Sequence, residues 1–372
     1  MSIQYDPLLG GRFRTLPAKR RVAVAMSGGV DSSVAAWLLK RDGFEVFGLT
    51  MRTQDPDETG ADSAVRDARR VAAMLGIPHA VADFRQAFAD QVIGVFCAEY
   101  LAGRTPNPCV VCNQRIKFGL LLDEALKMGA DYLATGHYVR ISADDPEGPY
   151  HLLKGRDPGK DQSYVLYRLN QQQLARTLFP LGSLSKPVVR QLAAEASIPV
   201  ADKGDSQEIC FVPDGKYAEF VETFTGIKPK PGEYRTAVGE VAGRHRGIHR
   251  YTIGQRKGLG LAMGHPVFVT RIDAERNEVW IGDHKDLFAS VLLADDVVYA
   301  GGTPFAEPTD VLVKIRYAAQ PAAGQAVSLP DGTLRVAFRE PQRAITPGQS
   351  VVFYHGEEVR GGGVIRCTES SV

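Results

Sequence analysis

Long apolar runs are absent from this 372-residue chain: none approaches the ~18 residues that a membrane-spanning helix requires. The start of the chain also lacks the hydrophobic centre of a secretory signal. Residues 1–21 instead carry five basic side chains, Arg12, Arg14, Lys19, Arg20 and Arg21, against the single acid Asp6; this has a weak transit-peptide look, but a loose tail before the first strand is the preferred reading. An excess of charge is missing as well. Lysine and arginine total 44 and the acids 43, so overall charge neither demands nor rules out a nucleic-acid partner, and an RNA-binding face must come from local clustering. Cysteine is scarce. Cys97, Cys109, Cys112, Cys210 and Cys367 are too few and too scattered for a disulfide scaffold and fit a reducing compartment, so a cytoplasmic location without membrane contact is expected. What remains is an ordinary globular mixture, 44% apolar and 23% charged, long enough for two or three domains at roughly 150 residues each.

The earlier part of the chain alternates between strand and helix signals. Residues 21–25 form a short apolar strand, and Val34, Ala35, Leu38 and Leu39 recur at helical spacing behind it. Gly43 stops that helix, and residues 45–51 read as a second strand. Ala64, Ala68, Val71, Ala72 and Leu75 make another helical stripe closed by Gly76, followed by a strand at 77–82 and a helix over 84–101. Past a loop bearing proline and cysteine come a helix near 116–127, a strand at 132–134 and an amphipathic helix at 184–197. This rhythm predicts a parallel sheet covered by helices. The texture changes after about Phe211. Short alternating runs at 267–272, 278–281, 311–315, 333–338 and 350–354 are separated by turn residues such as Asn277, Asp331-Gly332 and Pro347-Gly348. The expected architecture is an α/β domain over 1–215, a small central β-rich domain over 216–290 and a C-terminal β-barrel over 291–372.

Directly after the first strand stands Ala25-Met26-Ser27-Gly28-Gly29-Val30-Asp31-Ser32-Ser33, opening a helix. Paired glycines let the backbone approach a ligand closely, and free N–H groups at the helix start attract an anion. Ser27, Ser32 and Ser33 offer hydroxyls to phosphate oxygens, and Asp31 is placed to hold Mg²⁺ against them. The Gly-Lys-Ser/Thr ending of a Walker A loop is missing, which disfavours γ-phosphoryl transfer. The pattern Ser-Gly-Gly-x-Asp-Ser resembles the PP-loop of ATP pyrophosphatases, which release pyrophosphate and leave AMP on the substrate. Met51 ends the second strand and Thr135-Gly136-His137 ends the strand after Asp131; ligands collect beyond such ends in an open α/β sheet, and the backbones of Met51 and Gly136 suit the edge of an adenine. A plain glycine turn and two ordinary strand ends are the competing reading.

A proline-stiffened loop, Arg104-Thr105-Pro106-Asn107-Pro108-Cys109-Val110-Val111-Cys112-Asn113, carries a C-x-x-C and runs into Arg115 and Lys117. Cys210 closes a second segment, Lys203-Gly204-Asp205-Ser206-Gln207-Glu208-Ile209-Cys210. A thiolate beside basic groups or a helix start is a usable nucleophile. Structural zinc wants four ligands, and the fourth is missing from any tidy spacing. Cys97 and Cys367 read as packing thiols. Redox or sulfur chemistry at Cys112 and Cys210 is the sharper reading.

Taken together, residues 25–33, 103–118, 134–138, 160–164 and 205–211 resemble the tRNA-specific 2-thiouridylase family. The likeness continues through 251–260, Arg316-Tyr317, Pro347-Gly348-Gln349 and Gly361-Gly362-Gly363, and so covers almost the whole chain. The resemblance implies an N-terminal PP-loop domain of the adenine nucleotide alpha hydrolase type, a central domain and a C-terminal barrel. It implies ATP and Mg²⁺ as cofactors, and as substrate the wobble uridine of tRNA, with sulfur supplied by a persulfide or sulfide donor protein. By that likeness ATP contacts Ala25, Met26, Ser27, Gly28, Gly29, Val30, Asp31, Ser32, Met51 and Gly136. The target base meets Asn107, Pro108 and Cys109. Further tRNA contacts fall to His137, Lys160, Asp161, Gln162, Arg316, Tyr317 and Gln349. Cys210 would carry a persulfide and Cys112 act as nucleophile, leaving a Cys112–Cys210 disulfide, with the segment 203–210 moving so that the two sulfurs meet. Without the family, His137 reads as a buried hydrogen-bonding histidine and Lys160 and Arg316 as solvated charges. One departure stands out: many relatives carry Asp where this chain has Cys109. Cys109, Cys112 and Cys210 thus form a three-thiolate set able to hold an iron–sulfur cluster with one open iron. Two rivals remain, a PP-loop amidotransferase, which has no use for paired cysteines, and an RNA-binding module, which leaves the phosphate loop unexplained.

Overall fold

The computed structural model describes residues 20–54, 63–143, 148–200 and 209–369. The chain divides into two compact units, one made of residues 1–91, 109–207 and 357–359, the other of 92–108, 208–356 and 360–372.

The first unit is built on a five-stranded parallel sheet. Its strands are β1 (Arg21–Ala25), β2 (Glu45–Arg52), β3 (His79–Asp83) and β4 (Tyr132–Ala134). A hairpin of β5 (Val139–Ala143) and β6 (Tyr150–Lys154) follows, and β7 (Thr177–Leu178) completes the sheet. The order is β3-β2-β1-β4-β7. Strand β1 lies in the middle, pairing Val22 with Val46 on one side and with Tyr132 on the other, and its apolar run RVAVA is what a strand covered on both faces requires. Successive strands step outward from β1 to β3 and then resume on its other side at β4. That reversal opens a crevice beyond the carboxyl ends of β1 and β4.

Helix Val30–Arg41 packs Val34, Ala35, Leu38 and Leu39, all fully buried, in one core with Val189 and Ala193 of helix Lys186–Glu195. Truncating such a leucine to alanine costs about 2–5 kcal/mol. Three expected elements differ in detail. The third strand begins at His79 rather than 77, because Pro78 has no N–H to give a ladder. The helix expected over 84–101 is broken into Arg85–Phe88, a wide turn over Ala89–Ile93, and Gly94–Leu101. The helix expected near 116–127 starts earlier, as a wide-turn segment Cys112–Leu120 that tightens into Leu121–Lys127.

The second unit contains a four-stranded sheet and a barrel. Strands β8 (Gly232–Arg235), β9 (Val241–His245), β10 (Phe268–Asp273) and β11 (Glu278–Gly282) run in the order β10-β11-β8-β9. The barrel consists of β12 (Phe288–Tyr299), β13 (Thr309–Lys314), β14 (Ala322–Ser328), β15 (Leu334–Arg343), β16 (Ser350–His355) and β17 (Glu358–Thr368). Pairing of β12 with both β15 and β17 closes it, which removes exposed edges, and Val336, Val351, Phe353 and Ile365 fill its core.

Candidate active site

The phosphate loop forms where β1 ends. Met26 still donates its N–H to the Leu49 carbonyl at 3.0 Å. Gly28 then turns into the left-handed region at φ +69°, where a Cβ would stand 2.6 Å from the Ala64 carbonyl oxygen, so only glycine fits. Gly29 is extended and caps helix Val30–Arg41. Ser32 Oγ accepts from the Ser27 N–H at 3.2 Å and lies 3.3 Å from Ser27 Oγ. Ser33 differs from expectation: its buried hydroxyl donates to the Gly29 carbonyl at 2.7 Å and braces the loop from inside.

Asp31 is the hub of the site. Its Oδ1 accepts from Lys186 Nζ at 2.7 Å and from the Tyr138 hydroxyl at 2.8 Å. Lys186 is only 7% exposed and opens helix Lys186–Glu195. The Asp31 carboxylate is 32% exposed, and the same loop carries the Ser27 and Ser32 hydroxyls, 3.3 Å from each other; carboxylate and hydroxyl oxygens are the donors that Mg²⁺ takes.

The loop after β4 closes on the same hub. A Cβ on Gly136 would fall 2.8 Å from both the Asp31 carbonyl carbon and the Ser32 nitrogen, so glycine is what lets the two loops touch. The Tyr138 N–H donates to Gln162 Oε1 at 2.9 Å, and the Gln162 N–H returns to the Tyr138 carbonyl at 3.2 Å. Asp161 accepts from the N–H groups of Gly155 and Ser163 and from the Ser163 hydroxyl, which fixes the turn beside half-buried Lys160. Asp31, Tyr138, Gln162 and Lys186 therefore form one connected network. Met51 sits partly exposed near the end of β2.

His137 lies deeper, 9% exposed, with Nδ1 2.8 Å from Thr135 Oγ1 and its ring packed on Phe118 and Phe179. Burial first, and Lys117 second, push its pKa well below the ordinary value, which favours the neutral imidazole.

Helix Pro108–Val111 and the wide segment Cys112–Leu120 carry the C-x-x-C. Wide turns of this kind recur at functional positions. Cys112 is 8% exposed, whereas Cys109 is open to solvent. Desolvation raises the Cys109 pKa and Lys117 opposes it. Solvent reaches this thiol, so the desolvation reflects crowding around an accessible sulfur rather than enclosure.

In the second unit, the turn Pro347-Gly348-Gln349 clamps the segment leading to Asn107 and Pro108. Gln349 Nε2 donates to the carbonyls of Thr105 at 2.9 Å and Pro106 at 3.2 Å, and the Thr105 N–H donates to the Pro347 carbonyl. A Cβ on Gly348, at φ +89°, would meet the Thr105 nitrogen at 2.9 Å. Arg316 donates to the Arg343 carbonyl and Tyr317 is exposed. Cys210 is exposed, while residues 203–208 of its motif and the basic tail before Arg20 lie outside the described residues. Cys97 is buried, its thiol pushed up to about 11 by desolvation, and Cys367 is half-buried. Among the described residues no three His, Cys, Asp or Glu side chains group as a metal site.

Two participants were missed from sequence, Lys186 and the Tyr138 hydroxyl. Ser185-Lys186-Pro187 reads as a helix start, and a lysine there looks like a surface charge; only the contact with Asp31 reveals it.

A five-stranded parallel sheet with this glycine-serine loop and acidic hub at its switch point defines a nucleotide-binding enzyme of the PP-loop class. The family models that match are described as a tRNA methyl transferase HUP domain over 20–214, a tRNA methyl transferase PRC-barrel domain over 218–283 and an aminomethyltransferase beta-barrel domain over 289–365. A tRNA-specific 2-thiouridylase MnmA of Geobacter metallireducens is 49% identical over 94% of this chain and 98% of its own length. One from Moorella thermoacetica is 52% identical over 92% of this chain and 98% of its own length. One from Carboxydothermus hydrogenoformans is 49% identical over 93% and 98%. The chain belongs to the tRNA-specific 2-thiouridylase family, sulfurtransferases that act on a tRNA uridine. Membership implies use of ATP and Mg²⁺.

Proposed function

We propose that the chain adenylates the wobble uridine of tRNA and then replaces its C2 oxygen with sulfur carried on Cys210. The observation that carries this reading is the Asp31 hub, which joins the phosphate loop, the loop after β4 and Gln162 in one network.

The C2 oxygen of uracil is a poor leaving group. Attack of that oxygen on the α-phosphorus of ATP expels pyrophosphate and leaves AMP on C2, which is then open to substitution. Backbone N–H groups at Gly28–Asp31 and the Ser27 and Ser32 hydroxyls stabilise the departing charge. Asp31 would hold Mg²⁺, which would supply further charge neutralisation there. Met51 and Gly136 offer backbone to the adenine. Asn107, Pro108 and Cys109 receive the base, which leaves its stack to reach the site. His137, Lys160, Asp161, Gln162, Arg316, Tyr317 and Gln349 contact or position the surrounding RNA.

A donor protein leaves a terminal sulfur on Cys210, and that sulfur attacks C2. The Cys112 thiolate then attacks the inner Cys210 sulfur and breaks the S–S bond. Its electron pair passes to the sulfur on C2, AMP leaves, and a Cys112–Cys210 disulfide remains for a thiol reductant to reset. A cytoplasmic location, with its reducing thiol pool, suits this cycle. Domain bounds of 1–215, 216–290 and 291–372 accompany the proposal.

The rival assigns Cys109, Cys112 and Cys210 to an iron–sulfur cluster that presents sulfide. Burial of Cys112 beside a solvent-open Cys109 favours separate roles for these thiols over a shared cluster. Anaerobic purification with iron determination tests the choice, with Cys112→Ser and Cys210→Ser alongside. Thiolation without iron, lost in both variants while pyrophosphate release continues, is the expected result. Thiolation that tracks bound iron overturns the persulfide route.

A further inference from the structure

The chain is electrically balanced as a whole, but one stretch is not. Between Glu240 and Asp273 there is no acidic residue, while Arg244, Arg246, Arg250, Arg256, Lys257 and Arg271 all fall inside it. This stretch includes the glycine-rich segment 251–260, to which the proposed reaction gives no role.

The structure gathers part of it around a cleft of about 450 Å³ in the second unit, lined by Lys216, Arg246, Thr252, Gln255 and Gly258 among others. At its base the charges are already satisfied. Arg250 binds Glu219 at 2.9 Å and Glu222 at 2.6 Å, and His249 binds Glu222 at 2.7 Å. Around the rim they are not. Arg246, Arg256 and Lys257 are exposed, and among the described residues no carboxylate pairs with any of them. Arg256 and Lys257 are bracketed by Gln255 and Gly258, both of which line the cleft. Gly258 and Gly260 lie in the left-handed region at φ +78° and +69° with little or nothing around them, which leaves their backbone open to close approach.

We propose that this cleft and the segment 255–258 at its edge form an additional RNA-contacting surface, in which Arg246 of the cleft and Arg256 and Lys257 of that segment hold phosphates of the tRNA substrate; it rests on the family's tRNA substrate and adds a site to it. Cations without carboxylate partners above a self-neutralised base match a line of phosphates. A protein partner would want an apolar anchor, and none of the exposed large apolar side chains among the described residues lines the cleft. Contacts of this kind fix register and add affinity without reading sequence.

The test is equilibrium binding of unmodified tRNA to the full chain, without ATP or sulfur donor, over a range of salt. It compares the wild type, Arg246→Ala/Arg256→Ala/Lys257→Ala, a charge-retaining Arg246→Lys/Arg256→Lys, and Lys285→Ala as an exposed cation elsewhere. The triple variant should bind about tenfold or more weakly at moderate salt, with a slope of log affinity against log salt shallower by about three. It should keep its ATP affinity, which shows that it is folded, and its thiolation rate at saturating tRNA. The lysine variant should bind nearly as the wild type does, and Lys285→Ala should change nothing. Unchanged tRNA affinity and slope in the triple variant overturn the proposal. So does unchanged tRNA binding with slowed sulfur delivery from a donor protein, which would make the cleft a protein dock. Absence of tRNA binding by the wild type would overturn it together with the substrate it rests on.

Discussion

The ammonium of Lys186 stands 2.7 Å from the Asp31 carboxylate and joins the starts of two helices 155 positions apart in sequence. A buried lysine with its charge turned toward an anion-binding loop has two uses. It neutralises Asp31 here, and with Mg²⁺ held at Asp31 the same ammonium would be placed to face the pyrophosphate. Lys186→Met should therefore cost about 1–3 kcal/mol of stability, less than a fully buried pair because Asp31 is partly exposed. It should also slow pyrophosphate release by about two orders of magnitude or more, as loss of a transition-state donor does. Chemical denaturation and a pyrophosphate assay read the two effects separately.

Gly28 and Gly136 carry a steric prediction. An added Cβ would collide with the Ala64 carbonyl oxygen at the first and with the start of helix Val30–Arg41 at the second. Gly28→Ala and Gly136→Ala should each lose about 1–3 kcal/mol and weaken ATP binding, whereas Gly43→Ala, whose Cβ meets nothing within 4 Å, should pay only for its positive φ and leave ATP affinity alone. Calorimetric titration of ATP into the three variants separates these outcomes.

The five thiols should divide by role. Cys97→Ala is expected to keep thiolation and to lose about 1 kcal/mol of stability for the small cavity it leaves in a buried position. Cys367→Ser should be neutral for activity. Cys109 is raised in pKa by desolvation and lowered by Lys117, so Lys117→Met should raise it further. Alkylation of Cys109 at mildly alkaline pH, followed by mass spectrometry, should then be slower, because only the thiolate reacts.

Acid should destabilise the fold through histidines held in buried or half-buried positions. His137, His79 and His245 are all lowered in pKa, each chiefly by desolvation. As pH falls below about 6.5 the unfolded chain binds protons that these folded imidazoles refuse, so stability is present above that pH and declines below it. Denaturant midpoints at about pH 7.5 and pH 5.5 should show the decline, and His137→Gln should make it smaller.

Much of the first unit was legible because its signals are local. The RVAVA strand, the glycine-serine loop and the stripe of Val34, Ala35, Leu38 and Leu39 each lie within a few residues of one another and appear in the structure as strand, loop and buried helix face. What escaped depends on contacts between distant residues. Residues 92–108 belong with the second unit, where Phe96 meets Phe211 edge-on at 5.1 Å and Tyr100 stacks on Tyr217 at 4.6 Å. Nothing in the helical spacing of 94–101 announces those partners. The wide turns at Ala89–Ile93 and Cys112–Leu120 likewise carry no periodic signature that separates them from an ordinary helix. Lys186 and Tyr138 were invisible for the same reason: their meaning lies in what they touch.

The most direct test of the central claim is a single-turnover reaction of the full chain with unmodified tRNA, ATP, Mg²⁺ and a persulfide donor, following pyrophosphate, AMP and 2-thiouridine together. One pyrophosphate and one AMP for each 2-thiouridine formed, with pyrophosphate release preceding thiolation and surviving Cys210→Ser, is the predicted result. Formation of 2-thiouridine without pyrophosphate, or release of ADP in its place, would contradict activation through an adenylated uridine.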